Sequence, residues 1–111
     1  MAFKLRNNLS KLDKIVADES TPQTPIYIKK LEEGVQAEAN NDGSIYIDPD
    51  TPLNQVKTAI SHEKVHIDQM DRGDLDYDDD YVYWKGKKYS RSKMNEGAKS
   101  LPWEKEAYKK Q

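Results

Sequence analysis

The hydrophobic positions of this chain change their period twice. Leu9, Leu12, Ile15 and Val16 fall at helical spacing, but the polar, proline-broken stretch "DESTPQTP" follows. Residues 1–24 are therefore expected to form an extended, flexible arm. From Pro25 the apolar residues alternate. Ile26 and Ile28 share one face of "IYIKK", Val35, Ala37 and Ala39 share one face of "GVQAEAN", and Ile45 and Ile47 share one face of "SIYID". Alternation of this kind predicts short strands with one buried face. Asp42-Gly43 suits a hairpin turn between the last two strands. A small antiparallel sheet is the expectation.

The period then lengthens. In "DPDTPLNQVKTAISHEKVHIDQMDRG", Leu53, Val56, Ile60, Ile67 and Met70 recur at the spacing of one helix face. Asp50 or Thr51 can cap such a helix, Pro52 suits its first position and Gly73 can end it. Winding at 3.6 residues per turn places Glu63 inside the apolar stripe, with His62 and His66 along its edge. A carboxylate on a buried face is costly unless something compensates it. The aspartate-rich "DRGDLDYDDD" then reads as a loop, Lys85-Gly86 as a hairpin turn between aromatic flanks, and "LPWEKEAYKKQ" as a last short helix. The fold class is α+β, with residues 25–111 as one minimal domain.

Composition narrows the chemistry. The chain has 111 residues, 35% of them hydrophobic and 34% charged, so its core is modest and an extra source of stability would help it. It has no cysteine, which excludes disulfides and thiolate metal sites but leaves histidine and carboxylate ligation open. No apolar run is long enough for a secretory signal or a membrane span, so a cytoplasmic protein is expected. The net charge of −2 gives no general attraction to nucleic acid.

Both histidines lie in "HEKVH", Glu63 directly after the first. Histidines at i and i+4 project from one helix face and can ligate a single metal ion. The adjacent glutamate then lies where it can take a proton from a water on that ion. Zinc lowers the pKa of such a water to about 7, within reach of a carboxylate base. His62 and His66 are the candidate ligands and Glu63 the candidate general base.

"HEKVH" followed by "EKEAY" resembles the gluzincin clan of zinc metallopeptidases, and the chain's size and order of elements are similar to its minimal single-domain members, the minigluzincins. Its texture is also similar to small metallopeptidase-like proteins encoded by tailed phages and their bacterial hosts. The resemblance spans roughly residues 26–108. It implies a third zinc ligand on the last helix, Glu104, with Glu106 as the competitor, and Ala107 as the small residue that lets that helix approach the motif helix. It also implies peptide-bond hydrolysis with a peptide or protein substrate held along an exposed strand. Where the clan often has an aspartate to buttress a histidine, this chain has Tyr108, which leaves Tyr108 or Asp68 for that role. Tyr81, Tyr83 and Tyr89 are the candidate transition-state donors. The rival class is a metal-stabilised interaction module that cleaves nothing.

Two further signals rank lower. Asp74, Asp76, Asp78 and Asp80 alternate as in a calcium loop, but Asp79 and Lys85 stand where that loop needs glycine and glutamate. The hairpin from Lys85 to Lys93, with Lys87, Lys88 and Arg91 among its aromatics, has the composition of a nucleic-acid surface. A charged hairpin with cross-strand aromatic pairs explains it as well, and nucleic acid is not the expected partner.

Overall fold

In a computed structural model, which describes residues 10–111, the chain is α+β. Leu9 lies outside the described residues. The elements are α1 (Lys11–Glu19), β1 (Ile26–Ile28), β2 (Ala37–Ala39), β3 (Ile45–Ile47), α2 (Leu53–Asp71), β4 (Leu75–Tyr77), β5 (Tyr81–Trp84), β6 (Lys87–Ser90), a 3-10 turn (Arg91–Lys93) and α3 (Pro102–Lys110).

Residues 11–19, expected within an extended arm, form a docked helix instead. Ser10 caps α1 by accepting from the Asp13 amide at 3.0 Å, while the Asp13 carboxylate accepts from the Ser10 amide at 3.3 Å. This reciprocal pair satisfies two amides that a helix start leaves free. Leu12 and Val16 then bury against α2 and β1. Apolar burial on a partner surface supplies what nine residues of helix propensity cannot.

The first sheet has the order β1–β3–β2 and is mixed, not wholly antiparallel. β2 and β3 form the expected hairpin, with Ala39 opposite Ile45, and only Gly43 of its turn takes a positive φ, +94°. β1 lies parallel to β3 on the other side, Ile26 opposite Ile45. The hairpin occupies one edge of β3, which leaves β1 the other, so residues 29–36 cross the end of the sheet to reach β2. Asp48 pins that crossing by accepting from the Leu31 and Asp50 amides at 2.9 and 2.8 Å. Ile45 and Ile47 are fully buried in the central strand and meet Val56, Ile60 and Ile67 of α2. Ile26 joins them, whereas Ile28 and Val35 stay 37% exposed.

α2 starts one residue later than a cap at Thr51, and two later than a cap at Asp50, would place it. Pro52 is the cap residue; Thr51 donates its hydroxyl to the Gln36 carbonyl and the Asp50 carboxylate pairs with Lys30. At the other end the Gly73 amide donates to the Met70 carbonyl and the Asp74 amide to the Gln69 carbonyl, with Gly73 at φ +83°. That is the glycine-terminated helix end expected from the sequence.

The second sheet is an antiparallel meander, β4–β5–β6. Its hairpin turns through Lys85 and Gly86, both at positive φ, +48° and +84°. β4 corrects the reading of the aspartate run as a loop. Leu75 and Tyr77 alternate with Asp74, Asp76 and Asp78, which is a strand pattern once Leu75 has Val82, Trp84 and Trp103 to bury against. Met70 touches both apolar clusters and so joins the two sheets through α2. Among the described residues no helix is long and apolar enough to cross a membrane.

Candidate metal centre

α2 and α3 pack together, and the buried polar residues His66, Gln69 and Glu104 collect between them. Pro102 opens α3, placing Glu104 in its first turn, where the helix dipole favours a negative charge. Glu104 does not spread into solvent there. It is 8% exposed, and its Oε1 lies 2.8 Å from His62 Nε2 and 3.2 Å from His66 Nε2. Ala107, three residues on, is fully buried on the same helix face. The ligand atoms of His62, His66 and Glu104 all lie within 4.8 Å of one another. Glu106 turns away, its carboxylate accepting from Gln69, Arg72 and Lys110.

The far sides of both rings are held as well. His66 Nδ1 lies 2.8 Å from Gln69 Oε1 and His62 Nδ1 lies 2.7 Å from Gln111 Oε1. The orientation of the Gln69 amide follows from its other contacts, because its Nε2 donates to the Trp103 carbonyl at 3.0 Å and to Glu106 at 2.7 Å. Gln69 Oε1 is therefore an acceptor, His66 Nδ1 is the donor, and His66 Nε2 is the ring atom aimed at Glu104. With neutral rings, Nε2 and Oε1 offer only lone pairs to one another. Positive charge must lie between them: protons in the metal-free chain, or a single cation.

The donor set passes this test for zinc. Two imidazole nitrogens and a carboxylate oxygen make a common set, and tetrahedral bonds of about 2.0–2.1 Å separate ligand atoms by about 3.3 Å. The His66–Glu104 separation of 3.2 Å already matches that value, and the His62–Glu104 separation of 2.8 Å is shorter. Burial disfavours charge on both histidines, but hydrogen bonds and charge from Glu104, with Gln111 and Gln69 behind, raise both pKa values above the ordinary range. Burial likewise opposes charge on Glu104, yet the two histidines hold its pKa down to about 2. All three shifts express one need, for positive charge at the point where the side chains meet.

Glu63 sits beside this cluster, mostly enclosed but open on one side to a cleft of about 810 Å³. Desolvation pushes its pKa up to about 7 against the downward pull of His66, His62 and the Ala39 amide. The cleft is bounded by residues 34–39, α2, α3 and the second sheet. Of the two residues considered for buttressing a histidine, Asp68 is exposed and paired with Arg72, while Tyr108 packs its ring edge-on to His62 with centroids 4.5 Å apart. Gln69 and Gln111 take the ring nitrogens instead, and the sequence reading missed both. Gln69 had a signal: it is an uncharged polar residue three places after His66, next to the apolar stripe.

Tyr81, Tyr83 and Tyr89 do not line the cleft. Tyr83 donates to Asp78, Tyr81 lies under Lys88 and Tyr89 packs on Trp103; Tyr77, Tyr108 and Arg91 line it instead. Arg91 is tied to Glu96 and the Asp78 carbonyl. In the acidic run Asp74 accepts from Arg72, Asp76 from the Tyr77 amide and Asp78 from the Asp80 and Tyr81 amides; among the described residues only His62, His66 and Glu104 form a metal-type cluster. The basic hairpin spends its aromatics internally, with Lys88 and Lys85 over Tyr81 and Trp84. Comparison with models of known families, with curated proteins and with solved structures finds no match to this chain.

Proposed function

We propose that this chain is a zinc-dependent peptidase. The observation that carries the proposal is the convergence of His62 Nε2, His66 Nε2 and Glu104 Oε1 beside a desolvated glutamate, at the wall of a cleft with an open strand edge. Zinc held there supplies a Lewis acid that brings the pKa of water to about 7. Glu63 would serve as the general base, its carboxylate taking a proton from the attacking water and passing it to the leaving amine. A dication held by His62, His66 and Glu104 would lower the pKa of Glu63 and so favour its ionised, proton-accepting form.

The substrate backbone has a place to lie. Asn40 and Gln36 bond across to Ser44 and Asp48, so by the alternation of an antiparallel ladder Ala37 and Ala39 direct their backbone groups to the open edge. The Ala39 carbonyl accepts from Tyr77 and its amide faces Glu63. Ala37 is left to pair with an added peptide strand. The partner is thus a peptide or protein, and the chain works inside a bacterial cell, as the resemblance to phage and host proteins suggests.

One observation favours the rival reading of a metal-stabilised interaction module: the tyrosines expected to stabilise a transition state point elsewhere. A generic peptide pool separates the two. The peptidase cleaves it, stops on chelation, and in Glu63→Gln keeps zinc but loses about 10²–10⁴-fold in rate. Zinc uptake without cleavage by the parent would sink the peptidase and leave the module.

A further inference from the structure

Behind His66 runs a line of side chains that neither ligation nor proton transfer uses. Arg72 donates to Glu106 Oε1 at 2.6 Å, Gln69 Nε2 donates to the same oxygen at 2.7 Å, and Gln69 Oε1 faces His66 Nδ1 at 2.8 Å. Gln69 is fully buried although it makes no part of either apolar cluster. A neutral side chain in that place is unexpected. A carboxylate would accept from the ring more strongly, but it would face the Trp103 carbonyl and Glu106 with no proton to offer either. A side-chain amide can accept from His66 and donate to both of the others at once, and Gln69 makes all three contacts.

We propose that Gln69, oriented by Glu106 and the Trp103 carbonyl, is a positioning residue that keeps a proton on His66 Nδ1 and so commits Nε2 to the metal. Glu106, which the sequence offered as a rival ligand, would act instead from behind Gln69 and His66, two residues removed from the cation. Arg72, itself held by Asp68 and Asp74, fixes the direction of the Glu106 carboxylate. The carboxylate's influence on His66 is thereby passed on through a neutral amide. The inference rests on the metal reading above, and its test is chosen to fail separately from it.

The test measures zinc affinity by titration and, in metal-free protein, the His66 Nδ1–H signal in ¹⁵N-edited spectra. The parent should show a slowly exchanging Nδ1–H proton. Gln69→Leu, similar in volume, should lose that protection and bind zinc about 10–100-fold more weakly. Glu106→Gln, which keeps an acceptor for Gln69, should stay within about threefold of the parent, and Glu106→Ala should fall between them. If Gln69→Leu does not fold, the difference between Glu106→Ala and Glu106→Gln decides. An unprotonated His66 Nδ1 in the parent, or a folded Gln69→Leu with unchanged affinity, overturns the proposal. A parent that takes up no zinc but shows the protected Nδ1–H defeats the metal reading and leaves the assignment of Gln69 as the group holding that proton.

Discussion

One helix serves two unlike interiors. Where α2 faces α1 and the first sheet, the side chains it buries are aliphatic: Val56, Ile60 and Ile67 against Leu12, Val16, Ile45 and Ile47. Where it faces α3, it buries His66 and Gln69, and α3 answers with Glu104 and Ala107. The first interface gains from every methylene removed from water. The second takes imidazole, amide and carboxylate out of water and recovers that cost only because each has a partner; among the described residues no buried side-chain nitrogen or oxygen lacks one. Such an interface adds little to stability over an apolar one of the same volume. The polar side therefore calls for a different explanation, and the proposed cation would provide it.

The sharpest way to break this comparison is to damage the apolar side. Ile60 is fully buried, and Ile60→Ala should cost about 2–5 kcal/mol, a large share of the stability of a domain this size. Denaturant melts should show that loss equally with zinc and with chelator. A loss confined to the chelated protein would mean that the two interfaces are not independent.

Next in size is the metal itself. Zinc at about 100 times its dissociation constant should stabilise the parent by about 2.7 kcal/mol, and chelation should remove the effect. In His66→Ala thermal melts with and without zinc should coincide. A variant that responds to zinc as the parent does would place the cation elsewhere.

How much of this was legible in the sequence divides along the same line. The motif helix, its glycine end and the Lys85-Gly86 hairpin follow from period and turn chemistry, because those signals are local. α1 was misread, since its stability comes from Leu12 and Val16 docking on residues far along the chain. The parallel pairing of β1 was hidden for a similar reason: alternation shows which face is buried but not which neighbour is paired. In the site, spacing alone brought out His62, Glu63 and His66. Glu104 came from a resemblance, and Gln69 and Gln111 from neither. A histidine's partner on its far ring nitrogen can come from any element, so no fixed spacing marks it.

Protons offer a subtler probe of the polar side. Glu63, at about 7, binds its proton more tightly in the folded metal-free chain than the ordinary value of 4.5 allows when unfolded. The raised histidines act in the same direction. Stability from these groups is fully present below their unfolded pKa values and lost as pH rises through the folded ones. Glu104, depressed to about 2, does the opposite, and its contribution disappears only as pH falls below about 4.5. The metal-free protein should thus be more stable at pH 5 than at pH 8, by about 1–3 kcal/mol, and Glu63→Gln should remove part of that slope. With zinc the slope should reverse, since protons then compete with the metal for both Nε2 atoms. Urea melts at the two pH values, with and without zinc, check both signs; a flat profile in the metal-free protein would show that the cluster is not as coupled as its distances imply.

The smallest effect should come from inside the motif. Lys64 follows Glu63 in sequence, but the helix turns it away from the metal cluster toward α1, where its Nζ lies 3.3 Å from Glu19 Oε1. Both side chains are partly exposed, at 39% and 32%, so water and salt screen the pair. Such a bridge contributes about 0–1 kcal/mol. Lys64→Ala should therefore lower stability by less than about 1 kcal/mol and fade toward zero in high salt. Zinc affinity should not change, because nothing in the Gln69, Gln111 or Glu104 contacts passes through Lys64. A zinc titration of this variant that shifted tenfold would mean that the packing of α1 reaches the metal cluster through α2, and the division of the helix into two separate interiors would fail.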